Sequence, residues 1–204
     1  MIDFDRVCFS YGEKEVFRGL TFHIGAGERV AICGGSGCGK TTLLRLVLGL
    51  EQPGSGMVSV QTDRVSALFQ EDRLLPYLTV AQNCELFASD KSAVRPMLRG
   101  LGLADAADAL PSALSGGMAR RTALARALCH DAALYLFDEP FNGLDAESAA
   151  RAAELVGRVT AEKTVLAVAH RGGEAEALGC RTALAGFEES LANAGKAFVS
   201  KRRL

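Results

Sequence analysis

A run of glycines leads straight into a lysine and two threonines: Gly34-Gly35-Ser36-Gly37-Cys38-Gly39-Lys40-Thr41-Thr42. The spacing fits G-x-x-x-x-G-K-[ST]. Residues without a Cβ let successive backbone N–H groups curve around a phosphate. The Lys40 ammonium then serves the β/γ oxygens, and the Thr41 hydroxyl takes a place on Mg²⁺. This chemistry needs a strand before the loop and a helix after it. Arg29-Val30-Ala31-Ile32-Cys33 reads as a short buried strand, and Thr41 to Leu50 reads as a helix. Cys38 fills a position that the motif leaves free, with no expected role beyond loop packing.

A second constellation lies about a hundred residues on. The apolar strand Leu134-Tyr135-Leu136-Phe137 delivers Asp138-Glu139-Pro140 at its C-terminal end, where a parallel sheet places its ligand chemistry. Asp138 is expected to hold Mg²⁺, usually through water. Glu139 is expected to accept a proton from the attacking water.

A third stretch, Ala113 to Leu128, reads as a helix opened by Ser115-Gly116-Gly117. Two glycines weaken a helix start unless something must approach the backbone closely. A serine N-cap followed by bare N–H groups suits an anion. The helix is expected to present Ala123, Leu124, Ala127 and Leu128 on one face, with Arg120 and Arg121 elsewhere.

The elements that must position these groups alternate along the chain. Ile2-Asp3-Phe4, Val7-Cys8-Phe9 and Phe17 to Ile24 read as strands. Pro53-Gly54-Ser55-Gly56 stops the helix after the glycine loop. Residues 72–112 read as mainly helical, broken around Pro76, Pro96 and Pro111. Ala132 to Phe137 is a strand, Ala146 to Ala161 a helix and Thr164 to Ala169 a strand. Strand–helix alternation around phosphate chemistry implies a largely parallel α/β core, with a helical insertion between Gln70 and Leu114.

Composition bounds the rest. The 204 residues suffice for one domain with a real core. A formal net charge of −1 gives no global argument for nucleic acid or an anionic membrane surface. No stretch approaches the ~18 apolar residues of a membrane span, and MIDFDRVCFSYG lacks a basic region followed by an apolar run. A soluble chain that stays where it is made is the expectation. The 6 cysteines show no C-x-x-C pair and read as reduced, mostly core residues. The terminal Lys201-Arg202-Arg203 reads as a solvated end.

"GGSGCGKTT", "LFQED", "LSGGM", "LYLFDEP", "GLD" and "VAH" occur in this order along nearly the whole chain. In this order and rough spacing they resemble the ATP-binding cassette of ABC transporters, most like nitrate/sulfonate/taurine-type importer ATPases. The resemblance implies a P-loop NTPase core with an N-terminal antiparallel β subdomain. By the same resemblance residues 1–204 are expected to form one ATP-binding domain, with a helical subdomain inserted at about 71–114. It implies that Tyr11 stacks on adenine, and that Gln70 reaches the metal and γ-phosphate. Asp145 communicates across a dimer, and His170 contacts the γ-phosphate and holds the attacking geometry. It also answers what the second anion site is for. Two cassettes pack head to tail, and each Ser115-Gly116-Gly117 caps the ATP on the partner's phosphate loop.

The implied cofactors are ATP and Mg²⁺. The implied partners are a second cassette, identical or pseudo-symmetric, a separate transmembrane permease and an extracytoplasmic solute-binding protein, with no nucleic acid. The cassette is expected to be cytoplasmic and peripheral on the membrane. Gln70 to Val80 carries the importer likeness, with Leu74, Leu75, Pro76 and Tyr77 as the apolar contact to the permease. Two positions depart from the family pattern. Met118 stands where a polar residue is usual, and Ala169 replaces a small hydroxylated one. With the sequence ending soon after His170, no regulatory C-terminal domain is expected. An exporter ATPase, an ATPase of soluble iron–sulfur assembly and an ATP-binding regulatory module with little turnover remain as alternatives.

Overall fold

The computed structural model describes residues 1–169 and 172–182. Two sheets form its frame. The first is antiparallel, with β1 (Ile2–Tyr11) between β2 (Lys14–Ile24) and β4 (Ser55–Val60). The second is wholly parallel and has the order β5 (Val65–Leu68), β6 (Leu134–Asp138), β7 (Thr164–Ala169), β3 (Arg29–Cys33), β8 (Arg181–Thr182).

The parallel sheet is the middle layer, and its side chains show why its strands read as continuous apolar runs. Successive side chains of a strand point to opposite faces. Leu134, Leu136, Leu166, Val168, Val30 and Ile32 face a core shared with β1, β2 and the helix α1 (Lys40–Val47). Tyr135, Phe137, Val165, Ala167 and Ala31 face a second core on the helical side. A strand buried on both faces has no polar positions to alternate with.

The helical side holds α2 (Val80–Glu85), α3 (Val94–Gly100), α4 (Gly116–Cys129) and α5 (Ala146–Val159). A short helix, α6 (Gly172–Ala177), precedes β8. Between β5 and β6 the regular structure is entirely helical, as the sequence reading expects of residues 72–112. Pro96 does not break α3, because it sits in the first turn, where its missing N–H leaves no helical bond unmade. Thr79 caps α2 by accepting from the Gln82 N–H, and the Gln82 side chain returns the bond to the Thr79 N–H.

Differences from the sequence reading have local causes. α1 ends at Val47, ahead of the expected Leu50, because Gly49 turns left-handed with φ 67°. Ser55 and Gly56 open β4 as well as ending the turn. A Cβ on Gly56 would lie 2.3 Å from the Arg6 carbonyl oxygen, so only glycine lets β4 pass the irregular stretch of β1. The short strands β5 and β8 were not legible from periodicity.

Candidate functional site

The phosphate loop leaves β3 at Cys33 and enters α1 through Gly39, whose φ of 95° is left-handed. A Cβ there would lie 2.7 Å from Val16 Cγ1. Conformation and space both demand glycine at this point. Lys40, 6 % exposed, folds across the loop and donates to the carbonyls of Gly34 and Gly35 at 2.8 and 2.7 Å. Cys38 packs against the core under the antiparallel sheet, as expected of a loop-packing residue.

The Thr41 hydroxyl donates to Asp138 Oδ2 at 2.9 Å, joining the loop to the end of β6. Asp138 is 1 % exposed, and its Oδ1 has no hydrogen-bond partner. Burial pushes its carboxyl above the ordinary aspartate range. The Thr41 bond and the positive charges of Arg120, Lys40 and Arg45 oppose that shift. A buried carboxylate oxygen without a partner, beside a hydroxyl and a phosphate loop, suits a hard divalent cation.

Glu139 follows with φ 51°, a left-handed backbone that is uncommon outside glycine. Pro140 behind it disfavours the right-handed helical alternative. The Glu139 N–H donates to the Val168 carbonyl at 3.0 Å, and the Glu139 carboxylate accepts from Asn142 Nδ2 at 3.2 Å. A cleft of about 250 Å³ opens here. Ser36, Gly37, Gly39, Lys40, Thr41 and Thr42 line one side; Tyr11, Gln70 and Glu139 also face it. Tyr11 stands at the end of β1, edge-on to Phe9, with its hydroxyl donating to Glu51 at 3.2 Å.

Ser115, Gly116 and Gly117 line no part of that cleft. Ser115 caps α4, accepting from the Met118 N–H at 3.2 Å. A Cβ on Gly116 would meet nothing within 4 Å, so the helix start faces open space. Gly117 lies against Gly143 and Leu144, which places this helix start beside the loop holding Asp145. Asp145 caps α5 by accepting from the Ser148 N–H at 2.9 Å. That bond, followed by one from the Ser148 hydroxyl, holds its carboxyl below the usual range. Met118 packs against the helical-side core. His170 lies outside the described residues, one position beyond the buried Ala169 at the end of β7.

Arg120 corrects the sequence reading. Far from lying off the apolar face, it is 4 % exposed. Its Nη1 donates to the carbonyls of Phe69 and Gln70 and to Asp72 Oδ1, and its Nη2 donates to the carbonyls of Asp138 and Glu139. The signal was present in the spacing. Residues 120, 123, 124 and 127 follow i, i+3, i+4, i+7, so the apolar stripe includes Arg120 one turn earlier. Arg121 lies off that stripe, as expected, half-buried and donating to the carbonyls of Leu101 and Gly117. Asn142 was also missed: it is a local neighbour of Glu139, three residues on, but only the turn, closed by the Asn142 N–H donating to the Glu139 carbonyl at 3.1 Å, brings its side chain to the carboxylate.

Comparison with known proteins decides the family. The sequence profile described as ABC transporter matches residues 17–142. The chain belongs to the ABC transporter family. The cassette is 42 % identical over 186 residues to the aliphatic sulfonates import ATP-binding protein SsuB of Pseudomonas putida. That match covers 86 % of this chain and 69 % of the relative. A second SsuB, from Pseudomonas fluorescens, is 43 % identical over 188 residues, with the same coverage of 86 % and 69 %. Among solved structures, the dimeric bacterial ABC transporter cassette MJ0796 superposes with a TM-score of 0.79 at 27 % identity, covering 87 % of this chain and 91 % of that one. An ATP-bound Atm1-family exporter gives 0.77 at 28 % identity, covering 85 % of this chain and 35 % of that one. The P-loop α/β fold of an ABC ATPase cassette and ATPase activity follow from this membership.

Proposed function

We propose that this chain is the ATP-hydrolysing subunit of an importer for small sulfonated solutes. The observation that carries the hydrolytic half is the single cleft facing Lys40, Thr41, Gln70 and Glu139, with Asp138 bonded to Thr41 behind it. The importer half rests on the SsuB relatives.

In this reading the loop N–H groups of residues 34–41 hold the phosphates. Lys40 exchanges the carbonyls of Gly34 and Gly35 for phosphate oxygens. Thr41, Asp138 and Gln70 hold Mg²⁺, which supplies neutralisation of phosphate charge when bound. Tyr11 offers its ring to adenine. Glu139 accepts the proton of the attacking water, with His170 holding the geometry. Ser115, Gly116 and Gly117 engage the nucleotide of a second cassette, and Asp145 communicates between the two. Cycles of closure and hydrolysis drive a separate permease, so the cassette works at the cytoplasmic face of the membrane. Leu75 and Tyr77 are exposed and Leu74 is half-buried, which supports a permease contact there. We read residues 71–114 as a helical unit inserted within one ATP-binding domain. A solute-binding protein completes the importer. An exporter role has less support, because the curated relatives are named as import proteins.

Steady-state hydrolysis of MgATP by the purified chain tests the site. Glu139→Gln is expected to lower turnover at least ~100-fold. Wild-type turnover in that variant would contradict the assignment. Uptake of a radiolabelled alkanesulfonate by cells lacking the gene tests the solute. Uptake should be lost, then restored by the wild-type chain and not by Glu139→Gln. Unchanged uptake would overturn the solute class alone.

A further inference from the structure

The five donor contacts of Arg120 converge on two segments, one after β5 and one at the end of β6. Nη1 takes the carbonyl of Phe69 at 2.6 Å and that of Gln70 at 3.2 Å, in the segment that follows β5. Nη2 takes the carbonyls of Asp138 and Glu139, each at 2.6 Å. Both are main-chain acceptors on the turn that carries the two carboxylates. Asp72 Oδ1, at 3.1 Å from Nη1, is the one side-chain anion in the set. The guanidinium is almost fully buried, and its Nε has no partner.

A buried cation spends most of its donors on neutral backbone oxygens here, an arrangement that burial makes costly. Its planar fork is what lets one side chain hold two segments at once; a lysine ammonium is a single point. One of those acceptors belongs to Glu139, whose φ of 51° is strained for a residue with a side chain. Such a turn persists only where its surroundings over-determine it. The Val168 carbonyl fixes its N–H and Arg120 fixes its carbonyl. With both ends of the residue fixed, the direction of its Cα–Cβ bond is set, and Asn142 Nδ2 holds the carboxylate beyond it.

We propose that Arg120 is a positioning residue: it locks the left-handed turn that aims the Glu139 carboxylate and ties that turn to the Gln70 segment and to the helix begun by Ser115. The proposal rests on Glu139 as the proton acceptor. A shift of α4 at its Ser115 end is thereby transmitted to the carboxylate turn through one rigid group. Arg120 donates to no residue of the phosphate loop, on which ground-state nucleotide binding chiefly rests, and it meets Asp138 and Gln70 only at their main-chain carbonyls.

The test is kcat and KM for MgATP on the full chain carrying Arg120→Lys, Glu139→Gln or both, with thermal midpoints measured alongside. Arg120→Lys keeps the charge and loses the fork. Its kcat is expected to fall about 10- to 100-fold, the usual effect of a misplaced reacting group, with KM within about twofold. On the Glu139→Gln background, single-turnover rates should fall by less than about threefold on adding Arg120→Lys, since the group being aimed is already gone. Should Arg120→Lys fail to fold, Arg120→Gln, which keeps a planar donor, is measured in the same way. A kcat within twofold of wild type overturns the proposal. So does a full multiplicative loss on the Glu139→Gln background, or a lowered midpoint with kcat intact. If Glu139→Gln itself keeps wild-type turnover, the Glu139 assignment falls and the Arg120 role falls with it.

Discussion

Asp138 is the residue at which the demands of folding and of the bound ligand oppose each other. Its carboxyl is buried, accepts one hydrogen bond from Thr41 and leaves Oδ1 without a partner. Burial raises its pKa in the folded chain, so the folded state binds its proton more tightly than the unfolded state does. Its contribution favours folding at low pH and declines as pH climbs from the ordinary aspartate value through the raised one. Above that window the ionised group is a standing cost. Asp138→Asn should therefore raise the thermal midpoint of the nucleotide-free chain at neutral pH and flatten that decline. The same change should lower MgATP hydrolysis. A lower midpoint in the variant, measured by calorimetry without Mg²⁺, would contradict this reading. Asp138 and Glu139 were legible because an apolar strand ending in two acids has little other use. Arg120 was not, because its partners lie far away in sequence, and Asn142 was not, because the bond to Glu139 three residues back depends on the shape of the turn.

At the scale of elements, the proposed function gives the start of α4 a second role beside its cap, separable from it. Ser115 caps the helix through its Oγ and faces open space beside Gly116. Ser115→Ala should cost about 1 kcal/mol of stability, the usual effect of a lost cap. Ser115→Asp keeps an N-capping acceptor and adds a negative charge favoured by the helix dipole. It should retain wild-type stability yet abolish MgATP-dependent association, because a carboxylate would then face a phosphate. Denaturant unfolding and light scattering read the two effects independently. Association of Ser115→Asp at wild-type strength would remove the second role. Elements with strong periodicity or caps were readable: β3 and β7 fall at their expected residues, and α4 begins behind its serine. β4, β5 and β8 were not readable. β4 starts on a glycine-rich turn, while β5 and β8 are too short for a period.

At the scale of the whole molecule, the distribution of groups implies a second copy. The cleft that holds Lys40, Gln70 and Glu139 gathers the groups proposed for hydrolysis, and Ser115, Gly116 and Gly117 line no part of it. They lie instead beside the loop of Gly143 and Leu144, two positions from the Asp145 cap. A self-complementary surface carrying both features closes two equivalent sites at once. In the proposed function, association then depends on nucleotide, and hydrolysis ends it. The most direct measurement is the molar mass of the Glu139→Gln chain by light scattering, with and without MgATP. The mass should double with MgATP and stay monomeric without it. A chain that binds MgATP and remains a monomer would contradict the composite site.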